Sequence, residues 1–128
     1  MERIIVIPTF KEGGIQSYIN SRFGRTELFT LVKVKELKII AINVITNVAI
    51  QSLNRIGDQV ASLMKGHNVT DAIVRKIGNN LFSMLKQSNI RIYCVESEKI
   101  TVKNAIDLFF ADKLKELNNA NVNPFFAE

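Results

Sequence analysis

The chain has 128 residues, 47% of them hydrophobic and 23% charged, a balance that fits one folded domain and excludes a disordered segment. Its single cysteine, Cys94, excludes an internal disulfide, and no stretch approaches the ~20 apolar residues of a membrane span, so no membrane contact is expected. Lys and Arg number 17 against 12 Asp and Glu, and this net charge of +5 favours anionic partners: nucleic acid, phosphates or a negatively charged metal cluster.

Residues 4–7 are a continuous aliphatic run ending at Pro8, the pattern of a central strand buried on both faces. The run is too short for a signal peptide, so the expected location is the cytoplasm. Residues 9–24 hold Gly13, Gly14, Ser17, Asn20, Ser21 and Gly24 and read as a long polar loop, most mobile over 9–21. Residues 28–34 and 37–44 are two β-branched runs with Lys35-Glu36 between them, which predicts an antiparallel hairpin. From Ile50 the period becomes helical through Leu53, Ile56, Val60, Leu63 and Met64, with Gly66 placed to close the helix. Residues 69–74 predict a strand, 79–87 a second helix, and 90–95 another strand. Thr101 can cap a third helix whose apolar face runs from Val102 through Phe109 and Phe110 to Leu114 and Leu117. The tail from Asn118 is Asn-rich and is expected to fray.

Crossover helices require parallel strands, and the hairpin adds an antiparallel member. The order therefore predicts a mixed α/β sheet of five strands with helices on both faces, in one domain over residues 1–122 with a tail at 123–128. The expected core is Ile5, Ile7, Leu31, Leu53, Val60, Ile73, Leu85, Ile92, Ile106 and Phe109.

Three segments carry a family resemblance: Ser21-Arg22-Phe23-Gly24-Arg25, Lys76-Ile77-Gly78-Asn79-Asn80-Leu81-Phe82 and Thr101-Val102-Lys103-Asn104-Ala105-Ile106. In order and spacing the chain resembles the dinitrogenase iron–molybdenum cofactor biosynthesis family, the NifX and NifB C-terminal-like proteins, from Ile4 to about Val122. The resemblance implies a ribonuclease H-like fold with strand order 3-2-1-4-5 and strand 2 antiparallel. It also implies a non-catalytic role in binding or carrying iron–sulfur or iron–molybdenum cluster precursors. In the family the first motif typically reads Ser-x-His-Phe-Gly-Arg, its histidine a cluster ligand; here Arg22 stands in that place. The glycine-rich stretch common at the start of the first helix is replaced by Asn47-Val48-Ala49-Ile50-Gln51-Ser52.

The chemistry-bearing residues are few. Iron–sulfur and zinc sites need several Cys or His ligands, and the chain offers Cys94, inside an apolar strand, and His67, at a helix end. The first strand carries no carboxylate in its body to anchor a two-metal nuclease. No nucleophile elbow, Walker loop or dinucleotide fingerprint is present, so no enzyme activity is expected. An anion site remains. In open α/β sheets ligands bind beyond the carboxyl ends of the strands, where strand order reverses. The loops 9–24, 75–78 and 96–100 converge there and carry Lys11, Arg22, Arg25, Arg75, Lys76 and Lys99. The helix starts at Asn79 and Thr101 are expected to point free N–H groups the same way. The expected ligand-binding set is Arg22, Phe23, Gly24, Arg25, Arg75, Lys76, Gly78, Asn79 and Thr101, for an anionic ligand or metal cluster, with a protein partner as a further possibility. The alternative on the same fold is a nucleic-acid-binding or protein-interaction module that has lost cluster binding. Nucleic acid is the less favoured partner because the chain lacks Trp and most Phe residues fall on core faces.

Overall fold

A computed structural model describes residues 2–51 and 56–122. Strand β1 (Glu2–Thr9) is central. It pairs antiparallel with β2 (Leu28–Lys35) along its whole length and parallel with β4 (Asp71–Val74) only at Ile5 and Val6. Pairing on both sides is why its aliphatic run does not alternate with polar residues. Strand β3 (Lys38–Thr46) pairs antiparallel with β2, β5 (Arg91–Cys94) parallel with β4, and a two-residue β6 (Lys115–Glu116) antiparallel with β5. The order is therefore β3-β2-β1-β4-β5-β6, the expected five with one strand added. The hairpin turn is Glu36-Leu37, one residue later than expected, and both residues have positive φ (51° and 64°). That is the primed geometry whose twist matches the flanking strands, adopted here without the usual Asn-Gly.

Helix α1 (Ile56–Gly66) and α2 (Asn79–Gln87) cover one face of the sheet, and α3 (Val102–Phe110) covers the other. Strand side chains alternate between two cores. Val6, Phe29, Leu31 and Val74 meet Val60, Met64, Leu81 and Leu85, whereas Ile5, Ile7, Val32 and Ile73 meet Val102, Ala105 and Ile106. Of the expected core, Ile5, Ile7, Leu31, Val60, Ile73, Leu85, Ile92 and Ile106 are buried. Leu53 lies outside the described residues. Phe109 is only half-buried: its ring meets Tyr93 edge-on at 5.2 Å and carries the Arg3 guanidinium at 5.1 Å.

Five local expectations are corrected. Residues Val48–Gln51 form a 3-10 turn, Leu53 and its neighbours at 52–55 lie outside the described residues, and the left-handed residue after α1 is Asn68 (φ 59°), not Gly66. Helix α3 stops at Phe110, and Asp112 (φ 58°) turns the chain back. Leu114 and Leu117 continue the helical period, but β5 has an open edge to satisfy. The chain crosses that edge, so Leu114 packs on the α3 face and Leu117 on the other, with Leu117 N–H donating to Ile92 O at 2.8 Å. The tail is anchored at least to Asn121, which makes four hydrogen bonds back to the domain. Finally, residues 9–21 are not a loose loop. Beyond Val6, β1 loses contact with β4, and residues 18–20 occupy the gap: Phe10 N–H donates to Tyr18 O, Asn20 N–H to Pro8 O, and Ile19 N–H to Ile100 O. Ile19 is fully buried there.

Candidate anion-binding site

The parallel strands β1, β4 and β5 end together, and the connections leaving them build the site. The turn at 21–25 leads from the wedge at 18–20 into β2. Its backbone is fixed from beneath by a buried polar network. Thr26 Oγ1 donates toward Thr9 O and Leu28 O (3.0 and 2.9 Å), and Asn47 Nδ2 donates to Gly24 O and Thr26 O (3.1 and 2.9 Å). The Thr9 and Thr30 hydroxyls are 3.0 Å apart, and Gly14 N–H donates to Thr30 Oγ1. Thr9, Thr26, Thr30 and Asn47 are all buried, and satisfied networks of this kind hold a backbone in one arrangement. Phe23 adds an apolar anchor. Its ring lies fully in the core, 5.1 Å from that of Phe29, so it positions the turn and cannot touch a ligand. Gly24 is buried beside it, and Arg22 and Arg25 are left exposed at the surface.

Across from this turn runs the β4–α2 loop, Arg75-Lys76-Ile77-Gly78. Arg22 and Lys76 form a single parallel β-bridge, so the structure brings these two expected residues together through their backbones. Arg75 precedes the bridge. Its side chain is half-buried, and its Nε–H is shielded from solvent with no hydrogen-bond partner. Among the described residues no carboxylate lies within salt-bridge distance of Arg22, Arg75 or Lys76. Arg22 and Lys76 are thus exposed cations on bridged backbones, and Arg75, the residue before Lys76, carries a shielded Nε–H without a partner. Gly78 is the extended N-cap of α2 and supplies no side-chain cap, so Asn79 opens the helix beside the same loop.

The other cations do not join this set. Lys11 lies 3.7 Å from Glu27, and Lys99 sits over the Tyr18 ring at 5.0 Å. Arg25 borders a separate crevice with Phe10, Lys11 and Glu27. Thr101 is corrected as a ligand contact. Its hydroxyl accepts from Asn104 N–H at 3.2 Å, and the next amides of α3 are already used, Val102 N–H by Ser17 O and Lys103 N–H by Ile15 O. The wedge that replaces β4 beside β1 caps this helix, so its N-terminus has nothing left to offer an anion.

Sequence reasoning missed Asn47, Thr26 and Asn121. Asn121 Oδ1 accepts from Ile77 N–H (2.7 Å), its Nδ2 donates to Arg75 O (2.9 Å), and its N–H donates to Ile77 O (3.1 Å). No sequence signal marks it beyond Leu117, whose burial brings the segment home.

Among the described residues no group of three His, Cys, Asp or Glu could hold a metal ion. His67 follows α1 and precedes β4, at the opposite end of the sheet from Cys94, so the two cannot share an ion. Burial pushes the Cys94 thiol pKa up and Glu96 adds to the shift, against an opposing Asn121 hydrogen bond and the charges of Lys115 and Arg75. A thiol held protonated is a poor ligand. No helix among the described residues is long and apolar enough to cross a membrane.

The model of the family described as dinitrogenase iron-molybdenum cofactor matches residues 3–112. The chain belongs to that family. It is 30% identical over 98 residues to the uncharacterized protein MJ0580 of Methanocaldococcus jannaschii, covering 77% of this chain and 81% of that protein. The family fold is seen again in a NifB-type protein from Thermotoga (TM-score 0.78, 26% identity, 94% of this chain and 98% of that one). The apo form of the orange protein from Desulfovibrio gigas shares the fold with a TM-score of 0.84 at 17% identity, covering 94% and 97% of the two chains. Family membership relates this chain to proteins of iron–molybdenum cofactor biosynthesis, and it accounts for the strand order and the antiparallel β2.

Proposed function

We propose that this protein is a cytoplasmic, non-catalytic carrier that holds an anionic iron–sulfur or iron–molybdenum cluster precursor at the C-terminal ends of β1 and β4. The observation that carries this reading is the backbone bridge between Arg22 and Lys76, both exposed and with no carboxylate in salt-bridge distance among the described residues, next to Arg75, whose Nε–H has no partner. Like charges carried on neighbouring backbone repel one another, and an anion relieves that repulsion. Arginine suits the task, because its planar fork presents several donors to the sulfur or oxygen atoms of a charged cargo. Phe23, Asn47 and Thr26 hold the turn that bears Arg22, so the site is organised before the ligand arrives. Gly78 and Asn79 follow Lys76 in the same loop and open α2. The family's histidine would donate a lone pair to a metal; a guanidinium is always protonated and cannot. Cargo is thus held here by charge. A nucleic-acid role is not favoured: among the described residues the exposed aromatics are Phe10 and Tyr18, and Lys99 lies over the Tyr18 ring.

The test is anaerobic retention of a synthetic, thiolate-capped four-iron cluster by the parent and by Arg22→His across a salt series. Charge-held cargo is lost as salt screens it, with a Debye length of about 10 Å at 0.1 M. Arg22→His should bind more tightly and lose cargo less steeply, because a coordinate bond is not screened away. Tight binding by the parent at high salt would overturn the reading.

A further inference from the structure

The family match ends at residue 112, yet the chain continues through β6 and returns to the site. Asn121 meets the β4–α2 loop there. Its side-chain amide works as a backbone surrogate, accepting from Ile77 N–H and donating to Arg75 O, while its own N–H reaches Ile77 O. In extended chain the carbonyl of one residue and the amide two residues on project to the same side. Arg75 O and Ile77 N–H therefore face Asn121, and Lys76, between them, is engaged by Arg22 in the β-bridge. The loop is clasped from two directions, by the turn at 21–25 and by the C-terminal segment.

We infer that Asn121 is a positioning residue for the anion site: it fixes the backbone of the loop bearing Arg75 and Lys76 against the turn that bears Arg22. The inference rests on the reading given under Proposed function. Asn121 contributes no charge to the cargo and acts through the loop alone. Its role is separable from folding of the C-terminal segment, because that segment is docked independently by buried Leu117, by Leu117 N–H to Ile92 O, and by β6 on β5. Cys94 borders the clasp: its Sγ accepts from Asn121 Nδ2 at 3.5 Å and lies 3.6 Å from Arg75 O, and a serine hydroxyl can likewise accept and donate there.

The experiment measures affinity for the same thiolate-capped four-iron cluster in the parent, Asn121→Ala, Asn121→Gln and Cys94→Ser, at several salt concentrations, together with amide exchange at Ile77, Val74 and Ile92. Asn121→Ala should bind about tenfold more weakly. Its salt dependence should match the parent's, because all three cations remain, and exchange should quicken at Ile77 but not at Val74 or Ile92. Cys94→Ser should bind like the parent, and Asn121→Gln, which keeps both amide functions, should recover part of the loss. Should the alanine variant unfold, the glutamine variant decides: parent-like exchange at Ile77 with parent-like affinity supports the role, and freed exchange with parent-like affinity overturns it. If Asn121→Ala frees the Ile77 amide yet binds as tightly as the parent, the inference fails and the anion site stands. If the parent itself does not retain the cluster at low salt, the site reading fails and the inference falls with it.

Discussion

Two arginines at opposite ends of the sheet differ in how far the fold satisfies them. Arg3, at the start of β1, is fully provided for. Its Nε and Nη2 donate to Asp71 at 3.1 and 2.7 Å, the Thr70 hydroxyl donates to the same carboxylate at 2.6 Å, and the guanidinium lies over Phe109. Burial alone would lower the Arg3 pKa; the charge of Asp71 and hydrogen bonds with Tyr93 and Asp71 outweigh it and raise it. Arg75, at the end of β4, has a solvent-shielded Nε–H with no partner and, among the described residues, no carboxylate in reach. One end of the sheet is thus closed by an ion pair and the other is not, which is the difference the proposed anion site rests on.

The contrast can be broken by substitution. The largest effect is expected at Asp71, which is fully buried. Asp71→Ala leaves the Arg3 charge half-buried without its carboxylate and should cost about 3 kcal/mol in chemical denaturation, while cluster retention at the far end is unchanged. Arg75→Met should do the reverse. Replacing an unmet buried donor with an apolar stem should leave stability unchanged or raise it by about 1 kcal/mol, with cluster retention falling sharply. If Arg75→Met destabilises as much as Asp71→Ala, the two arginines are alike and the distinction is wrong. The smallest effect concerns Cys94 at the same end. Its folded-state pKa lies above the ordinary thiol value, so its contribution is present below that ordinary value and is lost as pH rises through the raised one. Parent and Cys94→Ser should therefore differ in their stability–pH curves only in the alkaline limb, measured by denaturation across that range.

The sheet was legible because long β-branched runs and helical periods report burial directly. Ile4–Ile7 could only be central, and the Leu81, Phe82 and Leu85 stripe could only face a core. Arg22, Lys76 and Gly78 were legible through their motifs. What escaped lies in contacts that local pattern does not encode. Asn47 and Thr26 look like ordinary strand-end polar residues until they are found buried against the backbone of residues 9, 24 and 28. Leu114 and Leu117 keep helical spacing, and only the open edge of β5 explains why they part to opposite faces. Ile15 and Ile19 sit among polar neighbours, which concealed that this segment plugs the sheet and caps α3. Asn121 acts 44 and 46 residues away in sequence, beyond the reach of any local rule.

Strand β3 closes the sheet on the side away from β6, and its outer edge has no neighbour in the order of strands. Over residues 39–45 it carries no charge, and Ile40, Ile42 and Val44 are exposed. The protection it has is a register irregularity opposite Lys33 and Val34, together with Lys38 at its tip. Set antiparallel against a copy of itself about Ile42, it would align Ile40 with Val44 and Lys38 with Thr46, with no like charges opposed. Colloidal behaviour then depends on the +5 net charge, which keeps molecules apart. If cargo is held by charge as proposed, the salt that strips it also thins that repulsion, so unloading and crowding would be driven by the same ions.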